Sequence, residues 1–286
     1  MVDRGSVYIE ALGTFKVTHA GTELPELRAQ PTRAALLLLL ALERRVSREE
    51  VVTMLWPERD PDRARHSLRQ TLYELRRALG DTWLETPGDL LLATDALSSD
   101  ARTFRERGQE FPPTGGPPVS LPDLSGYGGP FLHGVHLPVS RAFEEWSDGW
   151  RRRLGRDFRD RARTLHRHAI EEGSPEEVLE VARRWAEGDP LDDEAHHALV
   201  EALFRTGRRS DALRHFDAYA SRIRAELGVE PLEETLALVA SIRREAADVP
   251  PVPQGVERVA DRRTRPGESP RPLPRPTADV GPRPGN

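Results

Sequence analysis

The chain has 286 residues and a formal net charge of −5, room for about two domains with material left over, so affinity for nucleic acid would need a locally basic surface. It contains no cysteine, which excludes disulfide frameworks, thiolate metal sites and cysteine nucleophiles. Its longest apolar run, Ala34 to Leu42, falls well short of the roughly 20 residues that span a bilayer, and Met1 to Leu12 carries Asp3, Arg4 and Glu10, unlike a signal peptide. The expectation is a soluble, cytoplasmic protein.

Between residues 6 and 24 apolar and polar side chains alternate, as in Val7, Ile9, Phe15 and Val17. Gly13 and Ala20-Gly21 supply turns, so this stretch predicts a small antiparallel sheet. An apolar-rich helix follows over Thr32 to Leu42, behind Pro31, and must be largely buried. Val46-Ser47-Arg48-Glu49-Glu50 has the form of a capping box, with Ser47 as cap, Glu50 reaching back and Val46 as staple. It opens a short helix that ends before Pro57. Asp60-Pro61 starts the next helix, with Asp60 as N-cap and Pro61 at the first helical position, and Gly80 stops it after Leu79. Trp83 to Glu85 and Leu90 to Thr94, joined through Pro87-Gly88-Asp89, form a β-hairpin. Strands, three helices and a closing hairpin within about 95 residues are the order of a winged helix-turn-helix.

Residues 112 to 130 are dense in proline and glycine and read as a linker or irregular connection. From Arg141 to about Ala247 the pattern is helical throughout. Gly173, Val178, Ala182 and Trp185 recur 34 residues later as Gly207, Ala212, Phe216 and Tyr219, the period of a tetratricopeptide repeat. Pro190 falls where that repeat carries its closing proline; the second copy has Arg224 there, and its helix runs on to Leu227. The tail from Asp248 to Asn286, with ten prolines and seven arginines, cannot bury enough surface to order itself and is expected to be disordered. The fold class is mainly α: a winged helix-turn-helix over 1–100, a connecting segment over 101–140, an all-α tetratricopeptide-like domain over 141–247 and a tail over 248–286.

The helix from Pro61 to Leu79 carries the chemistry. Ala64, Leu68, Leu72, Leu75 and Leu79 form one apolar stripe. At about 100° per residue, the opposite face holds Arg63, His66, Arg69, Gln70, Tyr73 and Arg77, with Arg65 and Arg76 on its flank. Five arginines stand against Asp62 and Glu74 between Pro61 and Gly80. Arginine can grip guanine edges or phosphates with two hydrogen bonds, and glutamine can grip adenine. An isolated arginine-bearing helix in an arginine-rich protein is more often simply solvated. Its place as third helix, after a short capped helix and before a hairpin, favours a recognition helix. Arg69, Gln70 and Tyr73 are expected to face the groove, and Arg76 to contact phosphate or pair within the domain. Arg33 begins the first helix, whose N-terminus can sit on a phosphate. The hairpin tip, short and bearing Asp89, is a poor minor-groove probe.

Other chemistry finds little support. Lys16 is the only lysine, and Gly13-Thr14-Phe15-Lys16 does not make a P-loop. His166 and His168, and His196 and His197, diverge on their helices, while His133 and His136 flank a glycine, so no metal site, cofactor or enzymatic activity is expected.

The residues from Val46-Ser47-Arg48-Glu49-Glu50-Val51-Val52 through Leu55-Trp56-Pro57, then Ala64-Arg65, Leu68-Arg69-Gln70 and Leu75-Arg76-Arg77-Ala78-Leu79, resemble the OmpR-like DNA-binding domain of the SARP family, the Streptomyces antibiotic regulatory proteins. Gly129-Pro130-Phe131-Leu132-His133-Gly134, Phe143-Glu144-Glu145-Trp146 and Glu226-Leu227-Gly228-Val229-Glu230-Pro231 resemble that family's bacterial transcriptional activator domain. The resemblance covers about residues 6 to 247. It implies a promoter-binding activator that recognises direct repeats of double-stranded DNA and helps recruit RNA polymerase through its sigma factor, two protomers lying head to tail on DNA. Arg65, Arg69, Gln70, Arg76 and Arg77 are the positions it assigns to recognition. This chain departs from the family between Pro112 and Gly128, broken by proline and glycine where relatives carry a helix, and its tail stands where larger relatives continue. The alternatives are a tetratricopeptide-like interaction scaffold with vestigial DNA binding, or the N-terminal part of a larger regulatory protein.

Overall fold

The structure, a computed structural model, describes residues 5–109 and 121–247; the expected disordered tail and much of the Pro/Gly-rich stretch lie outside the described residues. The first half opens with strands β1 (Val7–Glu10), β2 (Lys16–His19) and β3 (Thr22–Glu23), followed by the short helix α1 (Pro25–Arg28) and α2 (Pro31–Glu43). Then come β4 (Arg45–Ser47), α3 (Arg48–Leu55), α4 (Pro61–Leu79), the strands β5 (Leu84–Glu85), β6 (Leu90–Ala93) and β7 (Leu97–Ser99), and α5 (Asp100–Gln109). The second half contains α6 (Leu121–Ser125), the long α7 (Arg141–Glu172), α8 (Pro175–Gly188), α9 (Asp193–Arg205), α10 (Arg209–Leu227) and α11 (Glu233–Ala247).

Two small sheets enclose the winged-helix core. In the first, ordered β3-β2-β1-β7, the first three strands are antiparallel as expected, but β7 joins β1 in parallel, with Val7 opposite Leu97. The second, ordered β4-β6-β5, contains the expected hairpin and adds β4, which sets Val46 opposite Leu91. Val46, expected as a helix staple, therefore also serves as a strand residue. Strands of three residues leave too little alternation to be read from sequence.

Helix α2 runs between these sheets and α4. Pro31 sits at its start, and every residue from Ala34 to Leu42 is buried. A helix apolar on all sides must be surrounded, and this one is, by β6, β7, α3, α4 and α5. It ends at Arg44, whose φ of 66° is unusual for a side-chain-bearing residue. Arg44 is held there by its guanidinium, which donates to the carbonyls of Thr94 and Leu97 and pairs with Asp95 at 2.7 Å.

The caps form as the sequence indicates. Ser47 Oγ accepts from the amide of Glu50 at 3.1 Å, and Glu50 Oε2 accepts from the amide of Ser47 at 2.6 Å. Asp60 Oδ1 accepts from the amides of Asp62 and Arg63, and Gly80 closes α4 with φ 76°.

Residues 100–140 are woven into the core. Asp100 accepts from the amides of Ala11, Leu12 and Ala101, and burial raises its carboxyl above the usual range. Phe104 from α5, Tyr127 and Phe158 from α7 form one aromatic cluster, with Tyr127 stacked on Phe158 at 4.2 Å. Helix α6, with buried Leu124, occupies part of the stretch expected to be irregular. The β1–β2 turn lies against the 128–134 segment: Gly13 donates to Pro130 O, Leu132 to Ala11 O and His133 to Gly13 O. A Cβ on Gly13 would meet Gly128 O at 2.9 Å, and one on Gly128 would meet Leu12 O at 2.8 Å. The glycines here are demanded by backbone meeting backbone.

In the helical half, α7–α8 and α9–α10 are stacked hairpins turning at Gly173 and Gly207, as the 34-residue period implies. The two glycines do different work. Gly207 has φ +74° with open space beside it, whereas a Cβ on Gly173 would lie 2.7 Å from Ala169 O. The repeat partners Trp185 and Tyr219 are both buried, and each donates to an aspartate at the start of α9: Trp185 Nε1 to Asp192 at 3.1 Å, Tyr219 OH to Asp193 at 3.0 Å. Asp193 also accepts from Thr235 and the amide of Leu232, which anchors α11. His196 is buried, stacked on Tyr219 at 3.9 Å, with Nε2 3.0 Å from Pro190 O. Burial lowers its pKa from 6.5 to about 4, with His215 adding to the shift.

Two measurements test this packing. Gly13→Ala should cost more in urea denaturation than Gly21→Ala, because both have positive φ but only Gly13 also faces backbone; the second should cost about 1 kcal/mol. Because His196 stays neutral in the fold but protonates when unfolded, stability should be full above about pH 6.5. It should fall as the pH drops toward 4, by at most about 3 kcal/mol. A His196→Gln variant should lose that slope.

Candidate nucleic-acid interface

Helix α4 divides cleanly into two faces. Ala64, Leu68, Thr71, Leu72, Leu75 and Leu79 are buried, whereas Arg63, Arg65, His66, Arg69, Gln70, Tyr73 and Arg77 are exposed. Tyr73, 63% exposed, stands near the middle of the open arc, an unusual position for a large aromatic with nothing packed over it. The apolar stripe fixes the rotation of the helix, and the arginine face follows from it.

The expected residues do not all stand free. Arg33, at the start of α2, is paired with Glu74, and Gln70 Nε2 donates to the other oxygen of the same carboxylate at 2.8 Å. Glu74 thus ties the α2 N-terminus to the exposed face of α4. Arg76 is half-buried, paired with Asp81 at 3.3 Å and close to Thr86 Oγ1, which makes it an intradomain anchor to the hairpin. Arg65 pairs with Asp62 at 3.1 Å, an exposed contact within one helical turn.

Concavities flank the face on both sides. One, of about 850 Å³, lies between α3, α4 and the hairpin turn and brings Arg48, Arg59, Arg65, Arg69 and Tyr73 together. The other, of about 400 Å³, lies between α4 and the start of α2, where Thr32 and Arg33 approach His66 and Gln70. Arg48 and Arg59 were not legible as site residues, because each sits outside α4 and only the turn into that helix brings them alongside. Arg59 Nη1 donates to Ser67 Oγ at 2.8 Å, and the amide of Arg48 donates to Asp89 O at 2.9 Å, which fixes the hairpin tip beside α3.

The interface is coupled to the helical half through both ends of neighbouring helices. Trp146 and Trp150 of α7 both donate their indole N–H to Glu43 Oε1, at the C-terminal end of α2, at 2.9 and 3.0 Å. Ser140, the N-cap of α7, donates to Met54 O at the end of α3.

The histidine pairs expected to diverge have different partners: His166 lies edge-on to Trp185 while His168 approaches Glu172 at 3.7 Å, and His196 contacts Pro190 O while His197 contacts Thr235. Among the described residues no helix is long and apolar enough to cross a membrane.

A winged helix joined to stacked helical hairpins is a two-part architecture. Residues 123–243 match the model of the bacterial transcriptional activator domain. The transcriptional regulatory protein MoaR1 of Mycobacterium tuberculosis, and that of Mycobacterium bovis, are each 31% identical over 110 residues, 35% of this chain and 35% of theirs. The match thus spans about a third of the length of these curated relatives. Among solved structures, Mycobacterium tuberculosis EmbR, in complex with a low-affinity phosphopeptide, superposes with a TM-score of 0.50 at 21% identity, covering 84% of this chain and 65% of that one. Residues 123–243 are thus similar to a bacterial transcriptional activator domain, and the fold is shared with EmbR.

Since the exposed face of α4 makes no core contact, Arg69→Ala and Tyr73→Ala should each leave unfolding free energy within about 0.5 kcal/mol of the parent. Leu68→Ala, on the buried face, should cost about 2–5 kcal/mol. Chemical denaturation of the three variants checks the division.

Proposed function

We propose that this regulator activates transcription by binding double-stranded promoter DNA through α4, with residues 1–100 as the DNA-binding module and 141–247 contacting other proteins. The observation that carries the reading is the exposed face of α4, with Arg63, His66, Arg69, Gln70, Tyr73 and Arg77 over a buried apolar stripe. The helix has the width and the side chains to enter a major groove, where arginine and glutamine can discriminate base edges. The N-terminus of α2 and Arg48 of α3 flank it on the two sides where backbone phosphates would run. Arg65 and Arg69 then serve base or phosphate recognition. Arg33 and Gln70 are presented by Glu74, and Arg76 holds the hairpin while adding positive charge. Head-to-tail binding on direct repeats and contact with the sigma factor of RNA polymerase complete the proposal.

Affinity capture of sheared genomic DNA by the purified chain, followed by sequencing, tests it. A few promoters sharing a repeated motif should be enriched, and Arg69→Ala/Arg77→Ala should abolish the enrichment. On the preferred site Arg69→Ala alone should cost about 1–3 kcal/mol if it reads a base, and affinity should fall steeply with salt as counterions are released. Background capture by both proteins would favour the scaffold reading.

A further inference from the structure

The helical half carries a second charged concavity, remote in sequence from α4. A groove of about 720 Å³ lies between α8, α9 and α10, in the size range of sites that enclose small ligands or peptide side chains. Ala186, Leu199 and Leu203 contribute apolar surface to it, and Arg183, Arg208 and Arg222 contribute charge. The two acidic residues that line it are already engaged: Glu187 with Arg184 at 3.2 Å, and Asp211 with Arg214. Arg208 and Arg222 are exposed and have no ion-pair partner among the described residues. Arg183 Nε is buried without a hydrogen bond, its contact with Glu180 stretched to 4.0 Å. Positive charge in the groove therefore exceeds what the protein neutralises.

His215 adds a further polar group with a defined role. Pro190 O can only accept, so His196 Nε2 carries the proton and His196 Nδ1 accepts from His215 Nε2 at 2.8 Å. The Nδ1 of His215 is left as a free acceptor, and burial, with Arg222 and Arg183 nearby, holds the ring's pKa below the ordinary histidine value, so it faces the groove neutral.

We propose that this groove binds an extended acidic peptide segment of a partner protein, its carboxylates meeting Arg183, Arg208 and Arg222, a backbone N–H meeting His215 Nδ1, and its apolar side chains lying on Ala186, Leu199 and Leu203. Stacked helical hairpins present concave surfaces of this kind to peptides, and arginine clusters recognise acidic motifs. Duplex DNA is disfavoured because its grooves admit a protruding element, whereas this surface is recessed and apolar at its floor.

The test is fluorescence anisotropy with the full chain and a labelled peptide rich in glutamate with interspersed alanine and leucine, compared with its glutamine counterpart. Saturable binding of the glutamate peptide alone is expected near physiological salt. Arg208→Ala/Arg222→Ala, both at exposed positions, should weaken it about tenfold or more, and Arg69→Ala/Arg77→Ala should leave it unchanged, so the outcome is separate from the DNA reading. Absence of saturable binding, equal binding of the glutamine peptide, or unchanged affinity in the groove variant would overturn the proposal. Loss of duplex DNA affinity in the groove variant with peptide binding intact would also overturn it, by assigning the groove to nucleic acid.

Discussion

The nine buried residues from Ala34 to Leu42 make α2 a helix with no solvent face along most of its length, and the rest of the molecule is arranged around that fact. Burying such a helix takes elements on every side: β6 and β7, α4, and α5 from beyond the winged helix. Only the two ends of α2 reach the surface. At one end Arg33 meets Glu74 beside the exposed face of α4; at the other Glu43 receives two tryptophan N–H groups from α7. One rigid element thus touches both the candidate DNA interface and the helical half.

That arrangement limits how independently the two halves can move. The contacts between them are specific as well as apolar: backbone bonds from Gly13 to the 130–133 segment, the indole N–H groups of Trp146 and Trp150 to Glu43, and Ser140 to Met54 O. Unmade, each would leave a buried or half-buried polar group unsatisfied, and such groups are costly. The Gly128-Gly129-Pro130-Phe131 motif gains a physical meaning here. Its glycines let one backbone lie against another, and its phenylalanine, fully buried, fills the space behind.

The helical half uses its repeat in a comparable way. Trp185 and Tyr219 occupy equivalent positions and turn their polar ends toward adjacent aspartates, so Asp192 and Asp193 gather α8, α10 and α11 around the start of α9. The aspartates that organise this packing are thereby spent, while Arg208 and Arg222 in the groove have no ion-pair partner among the described residues. Positive charge in the groove is a consequence of where the repeat places its acids.

Much of this was legible in the chain itself because the signals are local. Caps at Ser47 and Asp60, the stop at Gly80, the apolar stripe of α4 and the 34-residue period each depend on residues within a few turns of one another, and all appear in the structure. The exposed face of α4 was legible for the same reason, since a stripe determines its own opposite face. Tertiary structure decided what depends on distant neighbours. It set β7 parallel to β1, made Asp100 a receptor for the amides of Ala11 and Leu12, and drew α5 and Tyr127 into the core. It also placed Arg33 in an ion pair, turned Arg76 toward Asp81, and brought Arg48 and Arg59 beside α4. Periodicity specifies which side of an element is buried; the partner that covers it, and the charge that meets each arginine, are settled only when separate segments close on one another.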